Sequence, residues 1–127
     1  MTDSKTTIAE LRRIVDEFVG QRDWHQFHTP KNLAMSLSIE AAELMEHFQW
    51  LTAEQSRAVA GRPEKLAAVA EELADVLCYV LAMANELGLD LSTALGRKMQ
   101  ENAKKYPAPE YRGRFGPEDP RPESGVG

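Results

Sequence analysis

Apolar residues recur along this chain at intervals of three and four, the spacing of one face of an α-helix, and no stretch keeps the strict alternation of a half-buried strand. Thr7 followed by Glu10 is a capping-box pattern, after which Ile8, Leu11, Ile14 and Phe18 repeat at helical spacing until Gly20; the pattern predicts a first helix over 8–22. An aromatic run without a period, Trp24 to His28, follows and is closed by Thr29-Pro30, an N-cap and first-turn pair. A long helix is predicted from Pro30 to Leu51, with Leu33, Leu37, Leu44, Phe48 and Leu51 on one stripe. Thr52 with Gln55 predicts a short turn ending at Gly61. A second long helix is predicted over 63–87, stopped by Gly88, and Asp90 caps a last one reaching Lys105. The expected fold is all-α, a bundle of four to five helices in a domain spanning 1–106.

Two features do not fit a plain bundle. The second half of the second long helix, VLCYVLAMA, is apolar on every face and must be covered on all sides. That predicts a subunit interface there, with the bundle completed by oligomerisation. From Pro107 onward the last 21 residues hold five of the seven prolines and four of the eight glycines, so residues 107–127 are expected to form a tail that is disordered or draped on a neighbour.

The chemistry lies in acids placed beside apolar stripes. Glu40 and Glu43 are i and i+3 on the first long helix, bordered by Ile39 and Trp50; Glu72 and Asp75 repeat the spacing on the second, bordered by Val76, Tyr79 and Met83. If the helices face each other, four carboxylates converge. Like charges ~4 Å apart repel by about 4 kcal/mol per pair at an effective dielectric near 20, so such a cluster takes up protons or a cation. Hard oxygen donors in that number suit Mg²⁺, with Mn²⁺ as a substitute. Solvated helix-face charges are the plainer reading, and the apolar flanks count against it. A di-iron carboxylate bundle would need Glu-x-x-His on two helices, and three residues before His47 stands Leu44. Glu46 and Glu71 are extra acids, read as supporting or solvent-facing.

Trp24 and Trp50, near the two ends of the first acidic helix, could be core or a stacking platform for a base, with His28 between them and Phe27 as core. Tyr79 lies one turn beyond Asp75, within reach of a ligand or of a buried carbonyl. Lys98, Asn102 and Lys105 share a face at i, i+4 and i+7, as a solvated face or a polyphosphate grip.

Composition narrows the partners. A formal net charge of −5, without a clear Lys/Arg block, argues against nucleic acid. The one cysteine, Cys78, excludes a disulfide framework and points to reducing cytosol. No run is long enough to span a bilayer, so a soluble, cytoplasmic protein without a membrane partner is expected.

Three ordered segments, WHQFHTPKNLAMSLSIEAAELMEHFQW, EELADVLCYVLAMA and KMQENAKKYP, resemble the MazG-like all-α nucleoside triphosphate pyrophosphohydrolases, most closely their dCTP pyrophosphatase branch. The resemblance covers roughly 8–107. It implies a homotetramer built from dimers, a Mg²⁺ site, and hydrolysis of a (deoxy)nucleoside triphosphate to monophosphate and pyrophosphate in nucleotide-pool cleaning. By position it implies Glu40, Glu43, Glu72 and Asp75 as metal ligands, with Glu40 or Glu43 as the base. Trp24, His28, Trp50 and Tyr79 would line the nucleoside pocket, and Lys98, Asn102, Lys105 and Tyr106 would complete it. The expected substrate is dCTP or a 5-modified dCTP. The alternatives are another nucleotide, such as dUTP or a damaged purine, and a catalytically silent helical module that binds a nucleotide or a partner protein.

Overall fold

The computed structural model describes residues 1–116 and 118, and every regular element among them is helical. In order these are α1 (Ile8–Gln21), α2 (Pro30–Glu46), α3 (Ala53–Ala58) running into a 3-10 turn (Val59–Gly61), α4 (Pro63–Leu87), α5 (Leu91–Lys105) and α6 (Ala108–Tyr111). Residues up to Leu89 form one compact unit and those from Asp90 a second.

The first unit is built on α4, which packs against α2 along one side and α1 along another. Its starts and stops are set locally. Thr7 and Glu10 close a reciprocal capping box on α1, Thr52 and Gln55 do the same on α3, and Thr29 accepts from Asn32 N–H in front of Pro30. Gly88 ends α4 in the left-handed region at φ 64°, where the missing Cβ removes the penalty. The core of this unit holds Val19, Leu33, Val59, Val69, Leu81, Ala82 and Ala84.

Three expectations change. On α1 the inward face is Leu11, Val15 and Val19, spaced i, i+4, i+8, whereas Ile8, Ile14 and Phe18 stay more than 40% exposed. Phe18 turns instead to Trp24, edge-on at 5.8 Å, and to the Arg22 guanidinium, 3.7 Å above its ring. Second, α2 stops at Glu46, not Leu51. His47 N–H bonds back to Leu44 O and Leu51 N–H to Phe48 O, three-residue bonds that tighten the chain into turns although the apolar spacing continues. Third, the all-apolar run of α4 is covered only in part by its own chain: Leu81, Ala82 and Ala84 are buried, whereas Leu77 within the run is 43% exposed, as are Leu66 and Leu73 earlier on the helix at 44% and 52%.

In the second unit Asp90 caps α5 by accepting from Thr93 N–H. The stretch from Pro107, expected to be disordered or draped on a neighbour, opens with α6, and the Tyr111 ring meets Tyr106 edge-on at 5.2 Å. The rest of that expectation, residue 117 and residues 119–127, lies outside the described residues.

Candidate metal and nucleotide site

Glu40 and Glu43 stand one turn apart on the face that α2 turns towards α4, and Glu72 stands opposite them on α4. Each offers a carboxylate oxygen within 4.8 Å of the others. Glu40 Oε2 and Glu72 Oε2 are shielded from solvent and have no hydrogen-bond partner. A shielded carboxylate oxygen without a donor is costly, and a cation or a proton is what relieves it. In the protein alone the same burial favours the protonated form. Burial, then the hydrogen bond and charge of Glu43, then the charges of Asp75 and Glu72 push the Glu40 carboxyl up to about 7. Burial and the charge of Glu43 raise Glu72 likewise, against a small opposing effect of His47. The donor set is all carboxylate, which fits a hard divalent cation.

Asp75, the fourth acid, is exposed and outside this three-oxygen group, although its charge is felt by Glu40, Glu72 and Cys78. Glu46 and Glu71 face solvent. Sequence reading gave no role to His47, which caps α2 and brings Nε2 to 3.8 Å from Glu72 Oε1. The one available signal was its i+4 spacing from Glu43 on the acid-bearing face.

The aromatic candidates divide. Trp24 and His28 come together in the turn before α2, ring centroids 6.4 Å apart, and His28 Nδ1 is shielded without a partner. Phe27, expected in the core, is 60% exposed. Its neighbours fold into a tight turn in which Phe27 N–H bonds to Trp24 O, and this directs its ring outward. Trp50 lies beyond the other end of α2, a helix of 17 residues or about 25 Å, is 87% exposed and meets no other ring among the described residues. Tyr79 is half-buried on α4, one turn past Asp75. In the second unit, Lys98, Asn102 and Lys105 lie along α5; Lys98 approaches Glu101 at 4.0 Å, and the Lys105 ammonium sits 5.4 Å from the Tyr106 ring centroid. An open depression at Gly61–Lys65 does not include the acids.

The MazG-like family model matches residues 35–114, which includes all three clustered acids. The chain is 42% identical over 110 residues to dCTP pyrophosphatase 1 of Bos taurus, covering 87% of this chain and 65% of that one. To dCTP pyrophosphatase 1 of Homo sapiens it is 43% identical over 102 residues, covering 80% and 60%. It thus spans somewhat under two thirds of the length of these curated relatives. The crystal structure of a pyrophosphatase from Archaeoglobus fulgidus superposes with a TM-score of 0.74 at 41% identity, covering 84% of this chain and 98% of the other. With a family match over most of its length and a shared fold at that identity, this chain belongs to the MazG-like family.

Proposed function

We propose that the chain is a Mg²⁺-dependent nucleoside triphosphate pyrophosphohydrolase that converts a deoxynucleoside triphosphate, first dCTP or a 5-modified dCTP, to the monophosphate and pyrophosphate. The observation that carries this reading is the shielded, donorless carboxylate group of Glu40, Glu43 and Glu72 in a chain similar to dCTP pyrophosphatases.

Glu40, Glu43 and Glu72 would hold the ion, with Asp75 as the fourth ligand of the proposal. A bound divalent ion supplies charge neutralisation and Lewis acidity at phosphate. The chain's residues do the rest. One carboxylate of α2, Glu40 or Glu43, takes the proton of the attacking water. Trp24, His28 and Tyr79 would hold the nucleoside together with a Trp50 from another copy of the chain, since Trp24 and Trp50 lie beyond opposite ends of α2, and Lys98, Asn102, Lys105 and Tyr106 would meet the phosphates through charge and hydrogen bonds.

Leu66, Leu73 and Leu77, exposed along α4, supply apolar area for further copies, and we read the working form as a homotetramer of two dimers. Cys78 is a free thiol, and no helix among the described residues is long and apolar enough to cross a membrane; both fit the cytoplasm as the proposed compartment.

Product analysis on dCTP, dTTP, dUTP, dATP and dGTP, with and without Mg²⁺, tests the reading. Pyrophosphate and dCMP should appear only with the ion. Glu43→Gln and Glu72→Gln should each abolish turnover while the helical content stays unchanged; undiminished activity in either removes that residue from the site.

A further inference from the structure

Outside the carboxylate group, one side chain ties three elements together. His25 lies in the turn between α1 and α2. Its Nδ1 is 2.6 Å from Glu86 Oε1 on α4, and its Nε2 is 3.4 Å from Asp16 Oδ1 on α1. On either side of it in sequence are Trp24 and His28, whose rings face each other. The backbone of this turn bonds to itself and to the end of α1: Trp24 N–H to Val19 O, Phe27 N–H to Trp24 O, His28 N–H to Trp24 O. Asn32 on α2 donates to Phe27 O. Among the described residues, the hydrogen bond from this turn to α4 is that of His25 with Glu86. We infer that His25 is a positioning residue, which registers the Trp24–His28 turn against α4, the helix that carries Glu72, and so sets how a nucleoside held by that turn meets the carboxylates.

The geometry also fixes the protonation the clasp needs. Both imidazole nitrogens face carboxylates, and both are donors only in the imidazolium form. The charges that act on the ring are acidic: Glu86 on α4, Asp16 on α1, and Asp23 in the turn itself. The hydrogen bond to Glu86 raises His25 above 6.5, against the opposing effect of burial, with the charges of Glu86, Asp16 and Asp23 adding to the rise. The doubly tied ring is therefore held to a higher pH than an unpaired imidazole would hold it. One tie is lost as pH rises through that raised midpoint, because one nitrogen then turns a lone pair towards a carboxylate. The pair is half-exposed, so its loss loosens the turn without unfolding the bundle.

This inference rests on the proposed function for its kinetic part alone, and the test separates the two. Trp50→Phe leaves Trp24 as the one tryptophan, and acrylamide quenching of its emission reads the exposure of the turn in the full chain with Mg²⁺ present. Quenching should rise between about pH 6 and about pH 9. It should be high at both in the added variant His25→Ala, and low at both in His25→Asn, whose amide nitrogen takes the place of Nδ1 and does not titrate. In proteins retaining Trp50, His25→Ala should raise KM for dCTP about two- to five-fold at neutral pH with kcat little changed, and His25→Asn should restore it. Quenching in His25→Ala that matches the parent at both pH values, or a fall in kcat with KM unmoved, overturns the inference; should His25→Ala not fold, His25→Asn decides through its loss of pH dependence. A wild type that hydrolyses no nucleotide would overturn the proposed function instead, while the quenching comparison still decides the clasp.

Discussion

Glu40 and Glu43, one turn apart on α2, bring carboxylate oxygens within 4.8 Å of one another, and after burial it is the presence of Glu43 that does most to favour a proton on Glu40. With Glu40 held up to about 7, and Glu72 raised in the same direction, the metal-free folded chain carries protons that the unfolded chain has released. The sign follows. The folded pKa lies above the unfolded value of 4.5, so this contribution to stability is fully present below 4.5 and is lost as pH rises through about 7. Tm of the metal-free protein should fall across that interval, and Glu40→Gln should flatten the fall. A divalent ion should reverse the trend, binding more tightly as pH rises and displacing protons near neutral pH. Calorimetric titration in two buffers of different ionisation enthalpy reads the proton count directly; no proton release at neutral pH would remove this account of Glu40.

Away from the site, Arg12 and Asn85 bind each other reciprocally. Arg12 Nε donates to Asn85 Oδ1 at 3.0 Å, and Asn85 Nδ2 donates to Arg12 O at 3.0 Å. The same guanidinium donates to Ala84 O and Leu89 O, so one cation satisfies carbonyls at the C-terminal end of α4, where the helix dipole favours it. Arg12→Ala should cost about 1.5–3 kcal/mol, the range for hydrogen bonds to a charged group. Arg12→Lys should recover less than half, because an ammonium cannot reproduce the planar fork. Denaturant midpoints at constant m-value measure both, and a loss below experimental error in Arg12→Ala would show that water replaces the clamp.

What the sequence made legible was local, and the reason is physical. Thr7 with Glu10, Thr29 with Pro30, Thr52 with Gln55 and Gly88 act within a turn of their own position, and the helices begin and end there. The convergence of Glu40, Glu43 and Glu72 was legible because i, i+3 spacing beside an apolar stripe constrains where a side chain points, whereas the same spacing did not bring Asp75 into the group. The end of α2 was not, since apolar spacing continues through Phe48 and Leu51 while the backbone tightens. Nor was the inward face of α1, where Ile14 and Phe18 compete with Val15 and Val19 for one helix side and only packing decides. His47 with Glu72 and His25 with Glu86 pair across long sequence separations, which no local pattern encodes.

Burial along α4 separates the core from the surface proposed for assembly. Leu81 is 3% exposed and Leu77 43%, four residues earlier on the same helix. Leu81→Ala should cost about 2–5 kcal/mol through the cavity it leaves. Leu77→Glu should leave the helical content intact and lower the oligomeric state, because its charge enters the surface offered to a further copy. Sedimentation of the two variants beside the wild type at matched concentration tests this; a wild type that is monomeric at micromolar concentration would overturn the proposed tetramer.

Trp50 offers the most direct test of nucleoside recognition. It stands beyond the C-terminal end of α2, 87% exposed, with no ring partner among the described residues, whereas Trp24 is engaged by Phe18 and His28. An indole left this open contributes little to the stability of its own chain, so Trp50→Ala should leave Tm nearly unchanged. Stacking on an aromatic ring is worth about 1–3 kcal/mol per base and accepts any base, because every base has a π-face. Selectivity comes instead from hydrogen bonds to the base edge, which the wrong base leaves unpaired. Trp50→Ala should therefore lower kcat/KM for every deoxynucleoside triphosphate by a similar factor, about 5- to 150-fold, and should not invert their order. The measurement is kcat/KM for dCTP, dTTP, dUTP, dATP and dGTP in both proteins. A loss confined to one base would make Trp50 an edge-reading residue rather than a platform. Purines hydrolysed by the wild type as well as dCTP would remove the pyrimidine pocket while leaving the pyrophosphohydrolase reading in place.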